Sequence, residues 1–101
     1  MIRHIVYFSV RSDTDRARVL DGLRLLEANP HALHLEVGEN LKLDSLGNEI
    51  DFVVYGEFTD ADALDAFKAH PSYEASIAAV RPLRDIRVAA DVMAREERRS
   101  S

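Results

Sequence analysis

The chain holds four histidines and three tyrosines, and two of these rings fall in one short stretch, His70-Pro71-Ser72-Tyr73. Tyr73, Ile77 and Val80 recur at i, i+4 and i+7, so one helical stripe predicts all three to face inward. His70 lies outside that stripe and directly before a proline, where helix-terminus duty already explains it. The other ring of interest is His4, within MIRHIVYF. Strand alternation places it on the same face as Val6 and Phe8, where a lone titratable group is costly unless hydrogen-bonded. One reading is a buried histidine satisfied by a backbone carbonyl or by Tyr73. The other is a His4–Tyr73 pair at the mouth of a small apolar pocket, orienting a phenol or carbonyl or serving as acid and base. Tyrosine, with an ordinary pKa of about 10, is a poor base at neutral pH without strong perturbation.

The remaining candidates have simpler readings. His31 and His34 have H-x-x-H spacing, which brings two rings together only on a helix. Pro30 before them and a strand after them oppose that, so no metal is expected. Asp60, Asp62 and Asp65 read as a helix cap and a solvated face. Arg81, Arg84 and Arg87 are able to meet an anion, but around a helix break they are expected to pair with surface acids. Gly38, Gly47 and Gly56 are isolated, and no phosphate loop, nucleophile elbow or dinucleotide fingerprint is present. No nucleotide or other cofactor is expected.

Elements must position these side chains. At 101 residues, 47% hydrophobic and 31% charged, the chain has the composition of one small globular domain. Its formal charge of −5 disfavours nucleic acid and anionic membranes as partners. Absence of cysteine excludes disulfides, iron–sulfur clusters and thiol catalysis. The first ten residues read as a strand rather than a signal peptide, and no apolar run reaches membrane-span length, so a cytoplasmic location is expected.

Residues 2–9, rich in β-branched and aromatic types, predict a strand. Ser12-Asp13-Thr14 then caps a helix that runs to Ala28, with Ala17, Leu20, Leu23 and Leu26 as its apolar stripe. Asn29-Pro30 ends it. Leu33 to Leu41 alternates as a second strand, and residues 44–48 are turn chemistry. The pattern repeats: a strand over Asp51 to Phe58, a cap at Thr59-Asp60, and a helix burying Ala63, Leu64 and Phe67. His70-Pro71 breaks this helix and starts the next, which ends at Arg81-Pro82. Ile86 to Val92 alternates as a last strand. Residues 1–93 form the domain, and the charged tail 94–101 is expected to be disordered. This order predicts an α+β fold, the ferredoxin-like split βαβ plan with a four-stranded antiparallel sheet.

Helices cover one face of such a sheet, and the other should turn polar on alternate residues. Here Ile5 and Tyr7 back His4, Val6 and Phe8, while Val53 and Tyr55 back Phe52, Val54 and Phe58. An apolar second face marks an association site, with Ile5, Tyr7, Val53 and Tyr55 at the interface of a homodimer.

Four blocks, MIRHIVYF at the start, HLEVGENL at 34–41, HPSY at 70–73 and VRPLRDIRVAADV at 80–92, resemble the stress-responsive dimeric α/β-barrel (Dabb) domain family. The resemblance implies a ferredoxin-like protomer whose sheet meets a partner's sheet across a two-fold axis, making an α/β barrel with helices outside. The family is functionally mixed, and one plant branch consists of polyketide cyclases. That branch works with a polar pocket of histidines and tyrosine between helices and sheet. Position by position, His4 matches one pocket histidine, Phe52 stands where another falls, Phe67 replaces the pocket tyrosine, and Tyr73 replaces the histidine base. Phe52 and Phe67 transfer no protons, so cyclase chemistry does not carry over intact.

The leading expectation is a homodimer binding a small apolar, aromatic or polyketide-like ligand in a pocket lined by His4, Val6, Phe52, Val54, Phe67, Tyr73 and Ile77. Its rivals are a structural stress-response dimer without a ligand, and a cofactor-free cyclase, oxygenase or isomerase using His4 and Tyr73.

Overall fold

A computed structural model describes residues 1–95. It contains β1 (Ile2–Val10), α1 (Arg16–Arg24), β2 (His34–Glu39), β3 (Phe52–Phe58), α2 (Ala61–Ala69), α3 (Pro71–Val80) and β4 (Arg84–Met93). The strands form one antiparallel sheet in the order β2-β3-β1-β4. Because β3 pairs antiparallel with both β1 and β2, it splits the first βαβ unit, as the repeated pattern predicts. The body is 17 Å along its shortest axis, the depth of one sheet and one helix layer. Among the described residues no helix is long and apolar enough to cross a membrane.

The strand faces follow alternation. Val6, Phe8, Phe52, Val54 and Phe58 are buried beneath the helices. Arg3, Ile5 and Tyr7 lie opposite Glu57, Tyr55 and Val53, and also opposite Val92, Ala90 and Val88 of β4. Among the described residues nothing covers this second face, where Tyr7, Val88 and Val92 are exposed. Val88, Ala90 and Val92 extend the apolar stripe beyond the four residues expected from β1 and β3. The loop between β2 and β3 borders this face, making an open recess from Asn40, Asp44, Leu46 and Ile50 with Tyr7 and Val53.

Several expectations shift. The second strand is shorter than 33–41, spanning only His34–Glu39. The helix expected up to Ala28 is an α-helix only over Arg16–Arg24, flanked by tighter turns at Asp13–Asp15 and Leu25–Ala28. Its buried stripe is Val19, Gly22, Leu23 and Leu26, whereas Ala17 is exposed and Leu20 half-buried. Gly22 explains that phase. A Cβ there would stand 2.8 Å from Val80 Cγ2 and 3.0 Å from Ala79 Cβ, so its lack of a side chain lets α1 and α3 approach closely. The α3 phase also shifts: Ser76 and Val80 are buried, with Tyr73 and Ile77 half-buried on the flank. Of the expected tail, Ala94 N–H donates to Met1 O at 2.8 Å, while residues 96–101 lie outside the described chain.

Caps behave as their chemistry dictates. Asp60 accepts from Ala63 N–H at 2.9 Å and starts α2. His70 has ψ 144°, the extended backbone required before Pro71. Its Nδ1 accepts from Ser72 N–H at 3.1 Å and lies 2.9 Å from Ser72 Oγ. That ring caps α3.

Candidate functional site

The sequence-predicted residues divide between two places. His4 is 2% exposed, under the helix layer. Its Nδ1 lies 2.5 Å from Asp91 Oδ1, a contact with a residue that stands directly opposite in the β1–β4 ladder. An ionised carboxylate only accepts, so Nδ1 carries the hydrogen. The ring's edge meets Phe58, with centroids 6.2 Å apart. Tyr73 belongs to a different neighbourhood. Its ring packs edge-on against Phe67 at 5.5 Å, and Phe67 in turn meets Phe58 at 4.9 Å.

The hydrogen-bonded partner of His4 is therefore Asp91 rather than Tyr73. The contact series linking His4 to Tyr73 runs through two phenylalanine rings. Sequence reasoning missed Asp91 because the two residues are 87 positions apart and meet only through strand register. Asp91 lies outside the apolar alternation of β4, which offered the only available signal.

The open space is also displaced from the expected pocket. Val6, Phe52, Val54 and Phe67 are each at most 3% exposed and pack into the solid core. A cavity of ≈ 30 Å³ lies to one side, lined by Phe8, Leu26, Tyr73, Ser76, Ile77, Val80, Arg84 and Arg87. This partly open space holds about one water. Ile77 also lines an open groove on the outer flank of α3, with Glu74, Ala78, Arg81 and Pro82. Half-buried Ile77 thus separates an inner cavity from an outer groove. Of the residues expected to line a pocket, Tyr73 and Ile77 meet this cavity. The displacement has a packing cause: Phe52, Phe58 and Phe67 fill the centre, while the helix-side residues Arg87, Ala89 and Asp91 of β4 remain exposed.

The other histidines part company. His31 packs edge-on to His70 at 5.7 Å, whereas His34 lies 3.3 Å from Glu36 and beside Tyr55. They do not converge. Among the described residues Arg81, Arg84 and Arg87 do not pair with the acids expected for them: the ion pairs there involve other side chains. Burial first, then the charges of Arg87 and Arg81, lower Arg84 below the ordinary guanidinium value, with Tyr73 opposing them. The cavity wall is apolar, phenolic and positively charged, suited to an apolar molecule with a polar or anionic end.

Comparison with known proteins fits this architecture. A dimeric ferredoxin-like protein of unknown function from Thermobifida fusca superposes with a TM-score of 0.78 at 29% identity, over 92% of this chain and 90% of that one. A Dabb family protein with a ferredoxin-like fold from Mesorhizobium loti gives 0.77 at 23% identity, over 92% and 95%. A cofactor-independent oxygenase from Streptomyces nogalater, as its N63A mutant, gives 0.68 at 15%, over 95% and 94%. No match is found among the curated proteins. The model of the stress responsive A/B barrel domain matches residues 2–94. With nearly the whole chain matched, and with the sheet order and helix layer described above, the protein belongs to the stress responsive A/B barrel domain family.

Proposed function

We propose that the protein acts as a homodimer, joined through its uncovered sheet face, and binds a small apolar or aromatic ligand between α3 and β4. The observation that carries the ligand reading is the Tyr73–Ile77 wall: the Tyr73 phenol lines the inner cavity, and half-buried Ile77 lines both that cavity and the outer groove. A shift of Ile77, the residue common to both linings, would join the two spaces. The dimeric T. fusca protein supports the assembly. A polyketide-like ring system suits the apolar lining and the phenolic donor.

The proposal concerns binding and not a reaction. A cyclase, oxygenase or isomerase using both His4 and Tyr73 needs them at one common space, and the rings of Phe58 and Phe67 lie along the contacts that link them. Likeness to the S. nogalater oxygenase is a likeness of fold.

Crystal soaking and calorimetry with a panel of phenols and β-polyketones test the reading. A bound molecule is expected beside Tyr73 and Ile77, and Tyr73→Phe should weaken it by about 0.5–1.5 kcal/mol, the worth of one neutral hydrogen bond. Binding that never involves this wall, or that ignores the Tyr73 hydroxyl, would leave the cavity as ordinary core.

A further inference from the structure

The pairing of β4 with β1 slips at one point. Phe8 faces Arg87, but Val10 faces Arg84, so two steps along β1 match three along β4. This is a β-bulge. In an unbroken strand, residues three apart point to opposite faces. The bulge instead brings Arg84 and Arg87 to the same cavity wall as Tyr73.

Three hydrogen bonds hold this irregularity. Ile86 N–H donates to the hydroxyl of buried Ser9 at 2.8 Å. Arg11 N–H donates to Leu83 O at 2.9 Å, and Arg11 Nε donates to Arg84 O at 2.8 Å. A plain sheet edge needs none of them. The two guanidinium groups share one small wall, and the ion pairs among the described residues leave both out. Arg81 adds a third positive charge on the adjoining groove, and Glu74 is the acid that lines the groove with it. Like charges held together at a partly buried wall favour an incoming anion.

We propose that Arg84 and Arg87 form an anion subsite of the cleft, and that the ligand is an organic carboxylate with an apolar body. The inference rests on the ligand reading above and names the polar end of that ligand. Arginine forks match the planar carboxylate. Phe8, Leu26, Ile77 and Val80 provide apolar surface for the rest of the molecule.

The test uses the full chain and two matched probe pairs, benzoate with benzamide and 2-naphthoate with 2-naphthamide. Dissociation constants are read by NMR titration, following signals of Tyr73 and Ile77. The wild type should bind each acid about tenfold more tightly than its amide, the scale of one charge-assisted contact. Arg84→Gln and Arg87→Gln should each bring that ratio close to one by weakening the acid more than its amide. Arg87→Lys, which keeps the charge, should retain part of the preference, and melting curves should show each variant folded. A wild-type ratio near one, or a ratio that survives either Gln substitution, overturns the anion subsite and leaves the cleft reading standing. If neither acid nor amide binds, the cleft reading falls and the subsite falls with it.

Discussion

His4 and Asp91 meet across the ladder between β1 and β4, with Nδ1 2.5 Å from Oδ1, and the histidine side chain is 3% exposed against 42% for the carboxylate. A buried ring is thus held by a wet anchor. Asp91→Ala should leave the buried Nδ1–H without its acceptor and cost about 1–3 kcal/mol. Chemical denaturation measures the loss, and imidazole ¹⁵N shifts should place the hydrogen on Nδ1 in the wild type. An unchanged midpoint would show that water replaces Asp91 without cost.

Gly22 carries the second prediction. In an exposed helix interior, Gly→Ala gains up to about 1 kcal/mol from propensity alone. Here the new Cβ would stand 2.8 Å from Val80 Cγ2, a branched side chain that is 2% exposed and has little room to turn. Overpacking should win, making Gly22→Ala destabilising by about 1–3 kcal/mol in thermal or denaturant melts. A stabilised variant would mean that α1 and α3 separate easily.

Neither of these two contacts was legible in the sequence, whereas the local patterns were. Alternation in β1 and β3, the Asp60 cap and the His70-Pro71 break are local patterns, and each appears where its residues predict. The apolar second face was legible from Ile5, Tyr7, Val53 and Tyr55 for the same reason. By contrast, α1 and the tighter turn after it have overlapping apolar positions, Leu20 and Leu25 among them, so periodicity alone misplaced the buried stripe. The His4–Asp91 pair and the Arg84–Arg87 wall depend on cross-strand register and on a bulge held by Ser9. Neither leaves a mark within a short window. Open space lies beside Tyr73 and Ile77 rather than at Phe52 and Phe67 because large aromatic side chains fill the centre, and only packing in three dimensions shows where space remains.

The third prediction concerns assembly. Val53 lies opposite Tyr7, amid apolar residues of β1, β3 and β4, on the face that none of the described helices covers. A stable dimer should bury upwards of about 1,200 Å² in total there. Val53→Asp would place an unpaired charge inside it, and should give monomer or aggregate by sedimentation velocity. A wild type that sediments as a monomer at micromolar concentration would refute the face-to-face assembly.

Asp51 carries the last prediction, on acid stability. Its carboxylate accepts from Val10 N–H at 2.9 Å, Arg16 Nη1 at 2.6 Å and Lys42 Nζ at 3.2 Å, tying β1, α1 and the long loop together at one point. Arg16 also lies over the Phe52 ring, 5.0 Å from its centre. Burial pushes the carboxyl pKa upward, but the Val10 hydrogen bond and the contacts with Lys42 and Arg16 outweigh it, leaving the group below the ordinary aspartate value of 3.8. The unfolded chain therefore takes up this proton first as pH falls. The stabilisation is fully present well above 3.8 and is lost as pH falls through that value and then through the lower folded value. Asp51→Asn keeps the shape, removes the charge and should cost about 1–3 kcal/mol at neutral pH. The gap between wild type and variant should narrow on acidification toward pH 3. Denaturation midpoints measured across that range check the slope, and a constant gap would show that the carboxylate contributes by shape alone.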